Sequence, residues 1–170
     1  DIPINFIVRS EKIGDKQTAA DNNQYSYVDK IEMQDGKVHL KGASYSVDMD
    51  MRTTANVKRS IIFENINTHE KFKYDLGYID KGTFDIKLVV ADKFGIIKQR
   101  AWYDKTLDIS ELSKGKYAIY ITNSSNISDY GELNDILFTD LSKATGTSNG
   151  KTFTFKLNEQ LRNRIELTVE

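Results

Sequence analysis

Cysteine is absent from the 170 residues, which removes disulfides, thiolate metal sites and cysteine nucleophiles together. Proline occurs once, at Pro3, so no proline-rich hinge divides the chain into domains. Histidine is nearly missing: His39 and His69 are the two present. Neither charge sign dominates, since 24 Lys+Arg face 25 Asp+Glu for a formal net charge of -1. Attraction to nucleic acid or to an anionic membrane would therefore need a local patch, and neither partner is expected. Long apolar runs are lacking as well. With 39% hydrophobic and 29% charged residues, the chain is too apolar for intrinsic disorder and too interrupted by charge to insert into a membrane. A chain of this length buries roughly 70% of its unfolded surface, enough for one self-sufficient core.

What is present is alternation with period two, which puts every second side chain on one face of a strand. In the last segment Leu161, Ile165, Leu167 and Val169 alternate with Arg162, Arg164, Glu166 and Thr168. The same arithmetic holds for Phe72, Tyr74 and Leu76, for Phe84, Ile86, Leu88 and Val90, and for Phe153, Phe155 and Leu157. Tyr25, Tyr27, Ile31 and Met33 share one parity, and Val38 and Leu40 sit between Lys37, His39 and Lys41. Asp35-Gly36 between these two runs is a hairpin signal, because both residues tolerate positive φ. After Gly42 the apolar parity passes to Tyr45, Val47, Met49 and Met51, which predicts a bulge near Gly42. The segment 107–112 has room for one helical turn, and 130–141 fits a helix and a strand equally well. Antiparallel hairpins without alternating helices predict an all-β, antiparallel two-sheet β-sandwich of Greek-key or jelly-roll-like topology, with ten or eleven strands.

Two stretches read as loops. Residues 9–24 are polar and follow a short apolar strand at 4–8, so residues 1–23 are expected to form an N-terminal edge strand and polar linker, with the sandwich domain spanning 24–170. Residues 142–150 end in Asn149-Gly150, a two-residue turn signal ahead of the Phe153 strand. The first residue is Asp1 and no charged-then-apolar leader follows, which leads us to expect a mature protein or a piece of a longer one. Abundant lysine, isoleucine and asparagine with scarce proline is a usage associated with AT-rich bacterial genomes.

Leu112, Gly115 and Tyr117 form the spacing L-x-x-G-x-Y, followed by the alternating Ile119 and Ile121. This resembles the tyrosine corner of immunoglobulin-like and fibronectin type III-like sandwiches. The resemblance covers about fifteen residues. It implies that the Tyr117 hydroxyl bonds to backbone a few residues upstream, and that the domain is an accessory module of a bacterial surface or cell-wall protein. The chain is longer than such domains and lacks the Cys and Trp pattern of antibody domains.

Few constellations carry chemistry. Gly150-Lys151-Thr152 imitates the end of a phosphate-binding loop, yet Thr145 stands where the first glycine belongs and a strand pattern follows instead of a helix. His69-Glu70 opens a zinc-protease motif without its second histidine, and no Gly-x-Ser-x-Gly elbow exists. Asp48 and Asp50 lie on the face opposite Met49 and Met51, about 7 Å apart along a strand. They are the candidate ligands for a Ca²⁺ ion shared with a neighbouring loop; their ordinary role is as solvated acids, and no other cofactor is expected. The acidic run 129–135, with Glu132 inside it, reads ordinarily as a charged loop or cap. The basic pairs Lys58-Arg59, Lys98 with Arg100, and Arg162 with Arg164 read as solvated strand faces.

The lone tryptophan gives the sharpest functional expectation. Ala101 and Tyr103 take the inward parity, which leaves Trp102 outward with Arg100 and Asp104. An aromatic ring beside polar groups on an outer strand face suits a sugar, whose flat apolar face packs on the ring while its hydroxyls meet the charged neighbours. Tyr120 has the outer parity of its own strand and would extend such a platform. The expected function is a non-catalytic module binding glycan or cell-wall polymer through Trp102, Tyr120, Arg100 and Asp104, extracellular or attached to a bacterial cell wall. Burial of Trp102 in the core is the competing expectation. The alternative function is a structural or protein-interaction domain that spaces or oligomerises neighbouring domains of a larger protein. A third reading, a glycan-active enzyme, would use acids such as Asp48, Asp50 or Glu132.

Overall fold

Alternating side chains oblige each strand to bury one face, and the computed structural model meets this demand with two packed sheets. It describes residues 24–46, 58–79, 101–123, 126–129, 139–158 and 164–170, and these contain eleven strands and no helix. The first sheet has the order β5(Trp102–Leu107), β2(Lys37–Ser46), β1(Gln24–Gln34), β8(Asp140–Lys143). The second has the order β4(Lys71–Asp75), β3(Arg59–Asn65), β6(Gly115–Asn123), β11(Arg164–Val169), β10(Lys151–Asn158), β9(Thr145–Ser148), with β7(Asn126–Asp129) also paired to β6. Side chains from both sheets meet between them, including Ile31, Val38 and Leu40 of the first and Ile61, Phe63, Tyr117, Phe153 and Leu167 of the second, all fully buried. The protein is thus an all-β, two-sheet sandwich.

The turn signals act as expected. Asp35 and Asn149 both adopt positive φ (52° each) at the tips of the β1–β2 and β9–β10 hairpins, the left-handed conformation that two-residue hairpin turns require. Ile109 and Leu112 close one turn through a 3.1 Å backbone bond. The segment 142–150 differs from its loop reading: β8 and β9 occupy most of it. Its side chains are polar because both strands lie at sheet edges, and buried Ala144 marks where the chain passes from one sheet to the other. One ladder departs from the antiparallel expectation, since β8 runs parallel to β1. Of the ambiguous segment 130–141, the residues from Asp140 onward are strand; residues 130–138 lie outside the described part, as do the predicted strands at 4–8 and 84–90 and the segment 1–23.

The predicted bulge sits in the partner strand. β2 pairs with β5 without interruption from Val38 to Ala43, whereas β1 shifts register between Val28 and Lys30. Tyr27 therefore faces away from Ile31 and Met33. The parity of β2 never resets: Val38, Leu40, Gly42 and Ser44 stay on the inner face, and Tyr45 is outward yet only 2% exposed. The apparent switch in the sequence has a physical cause, because the inner face turns from aliphatic to polar at this end of the sheet. Gly42 lies beneath the Tyr103 ring, where any side chain would collide with the ring and with the Tyr27 carbonyl that accepts the Tyr103 hydroxyl bond.

Arg59 fills that polar interior. It was expected on a solvated strand face, but it is fully buried. Its Nε donates to Asn123 Oδ1 (2.9 Å), one terminal nitrogen to the Gly77 carbonyl (2.8 Å) and the other to the Ser44 carbonyl (2.6 Å). Asn123 Nδ2 in turn donates to Ser44 Oγ (2.7 Å), which is bonded to Ser26 Oγ (2.9 Å). Ser26 and Ser44 belong to the four-stranded sheet, Arg59 and Asn123 to the other, so the network ties the two layers together. Burial lowers the Arg59 pKa to about 10, partly opposed by the field of Tyr103; the group is still cationic at neutral pH.

The corner between β5 and β6 is held from several sides. The Tyr117 hydroxyl donates to the Ser113 carbonyl (2.7 Å) and accepts from Ser113 Oγ (3.0 Å), the upstream bond that the L-x-x-G-x-Y spacing implies. Gly115 has φ 149°, and a Cβ there would stand 2.7 Å from Asn65 Nδ2. Lys151 Nζ bonds the Leu112 carbonyl (2.6 Å) and the Tyr74 hydroxyl bonds Glu111 (2.6 Å). Burial, reinforced by that Glu111 bond, raises the Tyr74 pKa well above the usual phenol value.

Two stability measurements follow from these contacts. Arg59→Met keeps much of the volume but strands three acceptors, each costing roughly 1 to 3 kcal/mol when buried without a donor. Thermal unfolding should then fall by about 6 to 12 °C for a loss of about 3 kcal/mol, and an unchanged melting temperature would remove the clamp from the account. Tyr117→Phe should cost about 1 kcal/mol in urea unfolding through loss of the corner bond; a loss of only a few tenths would make Tyr117 a plain core aromatic.

Candidate functional site

On the outer face of the seven-stranded sheet, the neighbours of β6 change partway along one edge. β3 takes one edge of β6 from Tyr117 to Asn123. The other edge pairs with β11 at Gly115 to Ala118 and with β7 from Tyr120 to Asn123. Between these two ladders the edge of β6 is released, and a groove of about 80 Å³ opens in the fork. It reaches inward to the edges of Ile119 and Ile165, which the closed ladder elsewhere would cover.

The walls come from residues on the outer parity of their strands. Tyr120 is half-buried at one end, and Ala118, two residues earlier on the same face, leaves the floor low. Across the β6–β11 ladder Glu166 stands opposite Ala118 and is only 8% exposed. Arg164 precedes it on the same face, opposite Asn158 on β10. Asn158 Nδ2 approaches Glu166 Oε2 at 3.5 Å, a long contact. Ile66, from the β3–β4 turn, overhangs the rim; its amide donates to the Lys116 carbonyl (3.0 Å) and its side chain is 44% exposed. The turn itself is built on Asn65, whose Oδ1 accepts from the amides of Asn67 (2.9 Å) and Thr68 (3.0 Å).

The groove combines an aromatic ring, a guanidinium fork, a carboxylate and an amide within a few residues of one another. That set offers donors and acceptors beside an apolar surface, the requirements of a polyhydroxylated ligand.

The predicted site is brought together only in part. Tyr120 is outward and lines the groove, as its parity implies. Trp102 also has the outward parity, opposite Ala43 on β2, but it is 6% exposed, with its ring set edge-on to Tyr27 at a centroid distance of 6.3 Å. Its face is not open to a sugar, and this corrects the expectation of a tryptophan platform. Ala43 and Tyr45 on the same outer face are equally buried, so this end of the four-stranded sheet carries apolar groups on its outside and polar ones within. Trp102 and Tyr120 moreover belong to different sheets, whose outer faces point in opposite directions, and cannot share one ligand surface. Asp104 lies on the outer face of the four-stranded sheet, its Oδ1 2.6 Å from His39 Nε2. Arg100, Asp48 and Asp50 lie outside the described residues, as does Glu132.

Sequence reasoning missed Arg164, Glu166 and Asn158 as site residues. Their outer parity was legible, but nothing in the sequence states that β11 pairs with β6 in the register that sets Glu166 beside Ala118. Among the described residues no three His, Asp or Glu side chains gather in a metal-binding cluster, and no helix is long and apolar enough to cross a membrane. Compared with known proteins, the chain matches no protein-family profile and no curated sequence.

Proposed function

We propose that this domain is a non-catalytic module that binds glycan or cell-wall polymer, carried by a bacterial protein outside the cytoplasm or on the cell wall. The observation that carries the reading is the groove in the β6–β11–β7 fork, where Tyr120 stands with Arg164, Glu166 and Asn158. An aromatic face receives the C–H surface of a sugar ring, and flanking charged and amide groups take its hydroxyls. Tyr120 holds the stacking role in this reading, and Trp102 is structural. The Tyr117 corner, with its upstream hydroxyl bond, supports kinship with immunoglobulin-like accessory domains. The absence of cysteine and the residue usage support the location.

The test is an array of glycans and cell-wall polymers, probed with wild type and Tyr120→Ala, with and without calcium. Binding by wild type and its loss in the variant are expected, with unfolding still cooperative and stability lowered by about 1 to 2 kcal/mol through truncation of a half-buried ring. Binding that survives in Tyr120→Ala would move the site elsewhere. If wild type retains nothing on the array, the spacer or protein-interaction role replaces glycan recognition.

A further inference from the structure

We infer that Asn149-Gly150, at the tip of the β9–β10 hairpin, is a self-modification site: in the folded chain Asn149 converts to aspartate and isoaspartate, and the isoaspartyl form releases β9 from its sheet. The inference is independent of the glycan reading. Two observations carry it: the unequal packing of the two hairpin tips, and the place of β9 at the end of its sheet.

An asparagine followed by glycine is open to attack by the glycine backbone nitrogen on its own side chain, because glycine puts no Cβ in the way. The chain has one Asn-Gly, at 149–150, and one Asp-Gly, at 35–36. All four residues have positive φ: 52° at Asn149 and Asp35, 74° at Gly150 and 76° at Gly36. Ring closure requires the first residue to rotate out of this turn conformation, and the two tips differ in what that rotation breaks. A Cβ built on Gly36 would lie 3.3 Å from Ser148 Oγ and 3.6 Å from the Thr147 carbonyl oxygen, so the β1–β2 tip is seated on β9. A Cβ built on Gly150 would meet nothing within 4 Å, and Asn149 and Gly150 are both exposed. Opening the β9–β10 tip gives up turn geometry alone, whereas opening the β1–β2 tip also breaks packing.

The step needs only water. The Gly150 nitrogen loses its proton to solvent and bonds to Asn149 Cγ, and the side-chain nitrogen leaves as ammonia. Water then adds to one of the two carbonyls of the five-membered ring. Opening at one carbonyl gives aspartate; opening at the other gives isoaspartate, whose main chain runs through Cβ and Cγ. Loss of ammonia makes the change one-way.

The two products act differently on the fold. Asp-Gly suits the same two-residue turn, as Asp35-Gly36 shows at the other tip. Isoaspartate lengthens the main chain between Ser148 and Lys151 by one atom, and the turn no longer matches the strands it joins. β9 is the strand least able to absorb this. It has four residues, ends the strand order of its sheet and is held by the β10 ladder from Thr145 to Ser148. Its inner side approaches β1 so closely that a Cβ on Gly146 would stand 2.6 Å from Met33 Cβ. A shift of β9 therefore also loosens the seat of Met33 and of the β1–β2 tip.

The experiment ages the 170-residue chain in mildly alkaline buffer, folded and in urea, and follows isoaspartate at positions 149 and 35 by peptide mapping. The isoaspartyl fraction is then separated for hydrogen exchange of the β9 amides. We expect isoaspartate at 149 to form in the folded chain within about tenfold of its rate in urea, and folding to slow the reaction at Asp35 by a larger factor. The β9 amides of the isoaspartyl fraction should exchange at least about tenfold faster than those of fresh protein. Asn149→Asp should stay within about threefold of fresh wild type, and Asn149→Gly, which keeps the turn and removes the reacting amide, should age without change. Protection of Asn149 by folding that equals or exceeds that of Asp35 overturns the inference. So does an isoaspartyl fraction whose β9 amides exchange as in fresh protein.

Discussion

The guanidinium of Arg59 is the constraint around which the rest of the sandwich is arranged. A buried cation must have its donors satisfied, since a charge taken from water without partners costs several kcal/mol. Arg59 meets that demand with acceptors from three separate segments: Asn123 beside it in the seven-stranded sheet, Gly77 beyond β4, and Ser44 in the facing sheet. The Arg59 carbonyl also receives the amides of Leu76 (2.9 Å) and Gly77 (3.2 Å), so the same residue turns the chain out of β4. An aliphatic core holds two sheets together without fixing their relative slide. Directional bonds from one side chain to both sheets fix it, which makes this network the registration device between the layers.

That polar interior explains the inverted end of the four-stranded sheet. Where Ser26, Ser44, Arg59 and Asn123 occupy the space between the sheets, apolar groups move to the outer face, and Ala43, Tyr45 and Trp102 are buried there. The lone tryptophan, the most conspicuous residue of the sequence, thereby serves packing. Tyr120 has the same outward parity on the other sheet, and there a branching ladder leaves a groove beside it.

The groove is a product of strand competition. β6 has one edge and two partners for it, and the point where β11 gives way to β7 cannot be sealed by backbone bonds. The fork interrupts the close spacing of a regular ladder and leaves an opening between the strands. The small side chain of Ala118 completes the opening. Ile66 reaches the rim because the β3–β4 turn is anchored by Asn65, the residue that also approaches Gly115 at the start of β6. Corner, turn and groove therefore share supports, although the corner was legible in the sequence and the groove was not.

Period-two alternation determined the all-β class, the strands β4, β6, β10 and β11 and the inward residues they give to the core, because a strand with one buried face leaves its signature at every second position. The Asp35-Gly36 and Asn149-Gly150 turns were equally local, resting on positive φ in two adjacent residues. The L-x-x-G-x-Y spacing located a corner whose hydroxyl bond spans four residues. Only the tertiary structure decided that Arg59 is buried, that Trp102 is covered, that β8 runs parallel to β1, and that Arg164, Glu166 and Asn158 meet near Tyr120. Parity assigns a side chain to one face of a strand. Which strands become neighbours, in what register, and whether an outer face is then covered depend on contacts between residues far apart in the chain, and no local pattern carries that information.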